Sequence, residues 1–296
     1  FEATDETLRT APQLDYWRVL YEALPDAAIA PNLHLRLPKD TLEQGETAQI
    51  KIAIANASNV DMDSLLVRFR ISDERNNVQQ QVLRFRPLLR NDTLIARLSI
   101  DTRLMQGPQT ILIEVNPEND RPELHRFNNV AFFNFFVEKD RRNPLLEVTF
   151  DGLRIMDGDL VSARPQIVIA LEDENRYLPL DNAELFNLFL ESPNPDNPFV
   201  PVTTPISLES PQLQFYPARS GEKRNKATIE WTPEFTESGT YALLVQARDA
   251  TGNAAGTYDL RIRFEVITES QISNVLNYPN PFSTSTRFVY TLTGAE

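Results

Sequence analysis

The acidic residues of this chain that could do chemistry cluster in predicted turns. Asp157 and Asp159 form one close group, and Glu172, Asp173 and Glu174 form another a short distance along the chain. General acid–base catalysis needs a pocket and shifted pKa values as well as adjacent acids, and carboxylates in turns are solvated by default. The pattern therefore does not favour catalysis.

Binding of a divalent cation is a better explanation of these acids than catalysis. Ca²⁺ takes about six to eight oxygen ligands from carboxylates, amide side chains and backbone carbonyls. The two groups flank one hairpin-like segment, so we expect them to converge at one end of a domain. The candidate ligands are Asp157, Asp159, Glu172 and Asp173 at that site, and Glu118 and Asp120 in a second turn. No EF-hand spacing is present, so Ca²⁺ is predicted from ligand type alone.

Composition excludes several kinds of site. The chain has no cysteine and only two histidines, His34 and His125. A disulfide framework, a thiolate metal site and a cysteine nucleophile are therefore excluded within it, as are most zinc sites and histidine-based triads. Both histidines are expected at the surface, since His34 alternates with Leu33 and Leu35 and His125 lies in an acidic turn.

Charge and hydropathy argue against nucleic-acid binding and against a membrane span. The formal net charge is −13 at pH 7. Such a field repels phosphate backbones, and no basic stripe interleaved with aromatic residues offsets it, so nucleic acid is not an expected partner. No run of about 18 apolar residues is present, so no membrane span is expected. No signal-peptide pattern appears at Phe1, and any export signal lies upstream or has been removed.

Hydrophobic periodicity predicts an all-β chain with two consecutive antiparallel β-sandwiches. Apolar and polar residues alternate in about seven segments of each half, and no helical pattern lies between them. Because parallel strands need crossover connections, βαβ units are excluded. The predicted organisation is a lead-in at 1–30, a first sandwich at 31–140, a second at 143–267, and a linker with the first strand of a further module at 268–296.

The two ends of the chain differ from this pattern. Apolar residues at helical spacing, ended by Pro25, predict a short helix or packed lead-in at 13–24, with a strand finishing an earlier domain as the alternative. The tail carries Pro279 and Pro281 before an alternating run at 286–292. Proline fixes φ and cannot donate to a sheet, so we expect an extended linker and then a strand without a partner, in a module cut short.

Several segments resemble known families. The sequence NYPNPFSTSTRFVYTL (277–292) resembles the start of the C-terminal sorting domain of proteins exported by the bacterial type IX secretion system. The segment 113–137, with its acidic turn and Asn-Asn pair, resembles the closing hairpin of CARDB-type Ig-like adhesion domains. Segments 15–26, 150–182 and 248–266 resemble the post-catalytic Ig-like domain of gingipain-like cysteine peptidases of the same system, a group that includes its sortase.

These resemblances imply an exported protein of the cell surface or the extracellular space, associated with the outer membrane. The implied partners are the type IX secretion and cell-surface attachment machinery and upstream domains of the same parent protein. The Cys–His dyad of the peptidases has no counterpart here, so we expect this segment to be non-catalytic. The alternative remains that the parent protein is a cysteine peptidase whose catalytic residues lie upstream of Phe1.

Three short motifs resemble the O-glycosylation acceptors of bacteria with this secretion system. Each is an aspartate, a hydroxyl residue and an apolar residue, and the acceptors would be Thr41, Ser64 and Thr93. The alternative is ordinary turn chemistry, in which Asp and Thr cap a loop before a leucine enters the core.

The leading hypothesis is a structural region that spaces an upstream domain from a C-terminal sorting signal. A second hypothesis is an accessory region of a gingipain-like peptidase or sortase. A third is a carbohydrate- or adhesin-binding module, in which Trp231 would stack on a sugar. Trp231 is otherwise expected to be a core anchor between two sheets.

Overall fold

The computed structural model describes residues 16–197, 199–219, 221–268, 271–281 and 284–293. Regular structure in these ranges is strand throughout, apart from one 3-10 turn at Ala183–Leu185. The all-β prediction is confirmed, with several sheets as in Ig-like β-sandwiches. No described helix is long and apolar enough to cross a membrane.

The first nine strands form two sheets. They are β1 (Ala27–Ile29), β2 (Leu35–Arg36), β3 (Thr41–Glu43), β4 (Ala48–Asn56), β5 (Leu65–Asp73), β6 (Val78–Phe85), β7 (Thr93–Ile100), β8 (Gly107–Val115) and β9 (Val130–Glu138). One sheet has the order β1-β4-β2 with β7 also on β4, and the other has the order β3-β9-β8-β5-β6. Alternate residues of β5 are fully buried, including Leu65, Val67 and Phe69, as period-two patterning requires.

The remaining strands form two further sheets and a hairpin. They are β10 (Leu145–Phe150), β11 (Asp159–Val161), β12 (Ile167–Asp173), β13 (Phe186–Ser192), β14 (Val202–Pro205), β15 (Leu213–Tyr216), β16 (Asn225–Trp231), β17 (Gly239–Ala247), β18 (Leu260–Val266), β19 (Gln271–Tyr278) and β20 (Arg287–Thr293). The sheet orders are β10-β12-β16-β15 and β11-β18-β17-β13-β14, and β19 pairs with β20.

The core of the second sandwich lies between its two sheets. Phe264 on β18 packs its ring 5.1 Å from that of Phe150 on β10 and 5.6 Å from that of Phe235, measured between centroids. Trp231 is only 4% exposed and lies 6.4 Å from Phe235, so its predicted role as a core anchor is confirmed. The alternative role, stacking on a sugar, requires an exposed ring and is wrong for Trp231.

One strand pair departs from the antiparallel prediction. β11 pairs in parallel with β18, with Asp159 opposite Phe264. The loop after Phe150 carries the chain from one sheet to the other, so β11 joins the edge of the second sheet without a crossover helix. At three residues, β11 is too short to give an alternating pattern in the sequence.

The chain divides into two compact units. The first comprises 1–40, 48–100 and 108–136, and the second comprises 41–47, 101–107 and 137–296. Two short segments from the first half of the sequence therefore belong to the second unit, which the periodicity of the sequence does not reveal. The predicted domain bounds remain predictions.

Within the second unit, the segment from β10 to β18 runs from one end of its two sheets to the other. β10 starts at Leu145, opposite Glu172 near the end of β12. β18 starts at the end of the unit where β17 finishes, with Leu260 opposite Val245, and runs away to Val266. The end of β12 and the end of β17 lie together, as the proximity of Asp173 and Asp249 shows, so the segment from β10 to β18 starts and finishes at opposite ends.

The predicted helix at 13–24 is wrong for the residues that the structure describes. Residues 16–24 have no regular secondary structure, and the residues before Tyr16 lie outside the described ranges. Trp17 is 83% exposed and Leu20 is 93% exposed. A helix shorter than about 12 residues is marginal in water unless a packed face stabilises it, and these side chains have no such packing.

The prediction of an unpaired final strand is also wrong. β20 pairs antiparallel with β19, with Arg287 opposite Tyr278. Thr286 Oγ1 donates to the Pro279 carbonyl at 3.1 Å across the connection. The proline-containing segment therefore lies between two paired strands, and the residues before it, which the sequence suggested were linker, form β19. Phe282 and Ser283 lie outside the described residues.

Candidate metal centre

Three aspartates of the second unit meet at one of its ends. Asp140 follows β9, Asp173 is the last residue of β12, and Asp249 follows β17. Each offers a carboxylate oxygen, and the three oxygens lie within 4.8 Å of one another. Strand geometry explains the convergence, because β12 and β17 run in different sheets and finish at the same end.

Asp173 is almost fully buried, and its carboxylate has few hydrogen-bond partners. It is 4% exposed, and its Oδ1 accepts a long hydrogen bond of 3.4 Å from the Asn175 backbone N–H. Its Oδ2 has no hydrogen-bond partner among the described residues. Burial raises the pKa of Asp173 to about 7, and the charges of Asp140 and Asp249 add to that effect.

Asp249 is 2% exposed and organises the loop that holds it. Its Oδ1 accepts from the backbone N–H groups of Thr251 and Asn253, both at 2.8 Å, and from the Thr251 hydroxyl at 2.8 Å. Its Oδ2 accepts from Asn253 Nδ2 at 2.7 Å. This Asx-type turn fixes the carboxylate, since aspartate readily bonds the backbone that follows it.

Asp140 completes the group from the segment after β9. Its backbone N–H donates to Gln44 Oε1 at 3.2 Å, and its carbonyl accepts from Asn253 Nδ2 at 3.3 Å. Its Oδ1 accepts from the Arg142 backbone N–H at 3.1 Å. Its Oδ2 is buried without a hydrogen-bond partner in the part of the chain that the structure describes.

Asparagine side chains hold the loop that follows Asp173 in the sequence. Asn225, on β16 opposite Asp173, donates through Nδ2 to the carbonyls of Asn175 and Leu178 and accepts from the Leu180 N–H. Asn175 in turn donates to the Gln44 carbonyl at 3.1 Å. Because these polar groups are buried and paired, they fix the position of the loop.

The electrostatics of the group are unfavourable when all three carboxylates are ionised. At an effective dielectric constant of 20, two charges 4.8 Å apart repel by about 3 kcal/mol. None of the ion pairs within the described ranges includes Asp140, Asp173 or Asp249. The nearby Arg142 pairs instead with Glu174, at 3.2 Å.

The structure does not bring the two predicted groups of acids together. Asp157 and Asp159 follow β10 at the Phe150 end, whereas Glu172 and Asp173 finish β12 at the Leu145 end. The six steps from Ile167 to Asp173 span about 20 Å at 3.3 Å per residue. Of the four predicted ligands at this site, Asp173 alone belongs to the three-aspartate group.

The other predicted metal ligands have partners of their own. Asp157 pairs with Arg263 at 2.5 Å, and Glu172 lies 3.9 Å from Arg224. Asp159 Oδ2 accepts from the Met156 N–H at 2.7 Å. In the first unit, Glu118 pairs with Arg68, and Asp120 pairs with Arg84 at 2.7 Å. These exposed pairs reduce the negative potential that a cation would need.

The first unit contains a buried acid, Glu123, that was not among the predicted metal ligands. Glu123 is 9% exposed and accepts through Oε1 from Asn116 Nδ2 at 2.7 Å and Asn129 Nδ2 at 2.5 Å. Its Oε2 accepts from the Ala27 N–H at 3.1 Å. Burial raises the pKa of Glu123, and the three donors oppose that effect. This network closes the acidic turn that precedes β9.

The two histidines lie at the surface of the first unit. His34 is exposed, as predicted. His125 is half-exposed, and its Nδ1 lies 3.0 Å from Asp26 Oδ2. His125 is therefore partnered by a buried carboxylate as well as by solvent.

The three candidate glycan acceptors have different surroundings. Thr41 is exposed on β3. Ser64 Oγ accepts a hydrogen bond of 2.8 Å from Arg84. The Thr93 N–H donates to Asp92 Oδ1 at 2.7 Å, and this local bond fits the turn chemistry considered as the alternative. Glycosylation at these positions stays a prediction.

Sequence reasoning missed Asp140 and Asp249. Asp140 precedes two arginines, and that stretch suggested only a charged joint. Asp249 opens the Asp-Ala-Thr-Gly-Asn sequence, in which an aspartate is followed by a hydroxyl residue, a glycine and an asparagine. Such a cluster of loop-forming residues signals a turn built around the aspartate side chain, and that signal was available.

Comparison with known proteins gives similarities of low identity. No protein-family model matches the chain, and no curated protein matches it. The CARDB domain of a Pyrococcus furiosus protein, solved by solution NMR, is 21% identical over 40% of this chain and 98% of its own length, with a TM-score of 0.33. Its crystal structure in complex with di-metal ions is 20% identical over 42% of this chain and 99% of that one, with a TM-score of 0.32.

A longer similarity involves dimeric latent PorU from Porphyromonas gingivalis. It is 12% identical, covers 92% of this chain and 27% of PorU, and has a TM-score of 0.30. This chain therefore spans about a quarter of the length of PorU. At these identities and TM-scores, the similarities do not identify the family or the activity of the chain.

Proposed function

We propose that this chain is a non-catalytic structural region of an exported cell-surface protein, which spaces an upstream domain from a type IX C-terminal sorting signal. The observation that carries the proposal is the path of the chain through the two sheets that β10 to β18 form. The segment from β10 to β18 starts beside Leu145 and finishes at Val266, at the opposite end of its two sheets. A module of this kind adds its own length, about 20 Å, between the domains on its two sides.

The first nine strands support the same function. The Ile29 N–H donates to the Asn128 carbonyl at 2.9 Å, so the chain arrives beside the start of β9. β9 then runs for nine residues, whose eight steps span about 26 Å. Spacing does not require a pocket or a reactive group, and the arginine pairs of the predicted acidic sites fit a solvated, unreactive surface.

The test is to exchange the segment from β10 to β18 within the parent protein. One variant lacks residues 143–267, and a second carries in their place an unrelated β-sandwich of similar length whose ends also lie at opposite poles. Surface exposure of the upstream domain is measured on intact cells with an antibody, and total export is measured in parallel.

A spacer predicts that the deletion lowers antibody access without lowering export, and that the unrelated sandwich restores access. If only the native sequence restores antibody access to the upstream domain, the region acts through specific contacts, and the spacer proposal fails. That result would favour an accessory region of a gingipain-like peptidase or an adhesin-binding module.

A further inference from the structure

The group of Asp140, Asp173 and Asp249 has a feature that a solvated acidic cluster lacks. Asp173 and Asp249 are 4% and 2% exposed, so solvent screens their charges poorly. Oδ2 of Asp173 and Oδ2 of Asp140 are both buried without a hydrogen-bond partner among the residues described. A buried carboxylate oxygen left unpaired is costly unless a proton or a cation accompanies it.

The donor set limits what that ligand can be. All three groups are carboxylates, and neither histidine nor cysteine is among them. Hard oxygen ligands suit Ca²⁺ or Mg²⁺, whereas Zn²⁺ sites favour nitrogen and sulfur. An anion is excluded by the charge of the three carboxylates.

We propose that Asp140, Asp173 and Asp249 bind one Ca²⁺ ion. Two oxygens bound to one Ca²⁺ at about 2.4 Å lie at most about 4.8 Å apart, and the three carboxylate oxygens all lie within that distance of one another. Mg²⁺ holds its oxygens at about 2.0–2.1 Å in near-ideal octahedral geometry, which requires a tighter and more regular set. Water and backbone carbonyls would complete the usual coordination number.

The surroundings hold the ligands in place before an ion binds. Asp249 is fixed by four hydrogen bonds from its own loop. Asp140 is held by Gln44 and by Asn253, which also bonds Asp249. Asn225 fixes the loop after Asp173. A site with supported ligands loses little conformational freedom on binding, which favours affinity.

This inference goes beyond the proposed spacer function and does not depend on it. The ion would join the segment after β9 to the ends of β12 and β17, three parts of the second unit that no single strand pair connects. Binding would therefore stabilise the folded unit by linkage, because the unfolded chain does not assemble the three carboxylates.

The test uses the whole 296-residue chain after removal of bound metal with EGTA and transfer to chelator-free buffer near pH 7.5. CaCl₂ is titrated by calorimetry up to about 5 mM, and thermal unfolding is followed with and without the ion. We expect one Ca²⁺ per chain with a dissociation constant below about 1 mM, and a rise of several degrees in the unfolding temperature.

The decisive variant is Asp173→Asn, which keeps the shape and removes one charge. We expect it to lower Ca²⁺ affinity by at least about 30-fold, and in EGTA to unfold at or above the temperature of the natural chain, because it relieves repulsion. The matched control is Asp157→Asn at the opposite end of the unit, whose affinity should stay within about twofold.

Three results would overturn the proposal. One is the absence of saturable Ca²⁺ binding by the natural chain, a result that needs no variant. Another is unchanged binding by Asp173→Asn that far-UV circular dichroism shows to be folded. The third is equal affinity for Mg²⁺, which would remove the assignment to Ca²⁺. If Asp173→Asn does not fold, Asp140→Asn at the half-buried ligand replaces it with the same expectation.

Discussion

Asp173 and Asp249 bring carboxylate oxygens within 4.8 Å of each other, although β13 to β17 separate them in the sequence. Both are almost fully buried, and both stand where a strand of the second unit ends. Proximity of like charges in a buried place costs free energy unless a proton or a cation is present. The relationship therefore makes the stability of this unit depend on solution conditions.

The first prediction concerns the pH dependence of stability in calcium-free buffer. Burial raises the pKa of Asp173 from 3.8 to about 7, so the folded state holds this proton at pH values where the unfolded chain has lost it. The raised pKa of Asp173 contributes fully to the free energy of unfolding below about pH 4, and this contribution is lost as the pH rises to about 7. A shift of about three pKa units corresponds to roughly 4 kcal/mol in the free energy of unfolding.

Denaturant unfolding of the natural chain and of Asp173→Asn across this range measures the effect. The stability of the natural chain should fall with rising pH relative to the variant, whose profile should be flatter. Parallel profiles would mean that Asp173 titrates normally and that its surroundings do not act as described.

The second prediction concerns Gly45, which has φ of +89° and lies against the loop after Asp173. A Cβ at Gly45 would stand 2.8 Å from Leu178 Cδ2 and 2.9 Å from the Tyr177 carbonyl oxygen. Gly45→Ala should therefore destabilise the protein by about 2–4 kcal/mol, from backbone strain and overpacking together. The control is Gly158→Ala, with φ of +88° and open space around the Cβ.

Gly158→Ala should cost only the backbone term, about 1 kcal/mol. Thermal and denaturant unfolding of the two variants measure the difference. Equal losses would show that the close approach of the 41–47 segment to Leu178 does not exist in solution.

The third prediction uses the two tryptophans of the chain. Trp231 is 4% exposed and Trp17 is 83% exposed. Trp231→Ala should lower the free energy of unfolding by about 3–5 kcal/mol, because it leaves a cavity in the core of the second sandwich. Trp17→Ala should change it by less than about 0.5 kcal/mol.

Denaturant unfolding and glycan-array binding of both variants test this assignment. A folded Trp231→Ala protein that keeps its stability and loses binding to a sugar would contradict the core role.

The fourth prediction concerns Glu123 in the first unit. Glu123→Ala leaves the Ala27 N–H and the amides of Asn116 and Asn129 without their acceptor. Unpaired buried donors cost free energy, and the relief of burying a carboxylate offsets part of it, so we expect a loss of about 2 kcal/mol. Hydrogen exchange at the Ala27 amide should also become faster.

The exposed Glu74 supplies the control for Glu123. Glu74→Ala should leave both the unfolding free energy and the exchange at Ala27 unchanged. Unchanged exchange in Glu123→Ala would show that the network does not close the turn.

Periodicity predicted the long strands because one buried face imposes it. β5, with Leu65, Val67 and Phe69 on its buried face, is an example. β1, β3, β11 and β14 have four residues or fewer and too few alternations to be recognised. The helical spacing of Trp17 and Leu20 was misleading, because spacing does not supply a surface to pack on.

The candidate site was predictable only in part, for a geometric reason. Asp173 was singled out because it stands among acids at a strand end. Pairing it with Asp157 assumed that both turns lie at the same end of the unit, and the direction of β10 and β12 excludes that. Asp140 and Asp249 join Asp173 through contacts between two sheets, which the alternation of residues within one strand does not encode.

The proposed spacer depends on the segment from β10 to β18, which carries the chain from one end of its two sheets to the other. Because the chain has no cysteine, spin labels can be placed at single introduced cysteines. We would measure distances for Asn143→Cys with Glu265→Cys, at opposite ends, and for Asn143→Cys with Glu174→Cys, at the same end. The account predicts that the first distance exceeds the second by about 15–20 Å, and equal distances would contradict it.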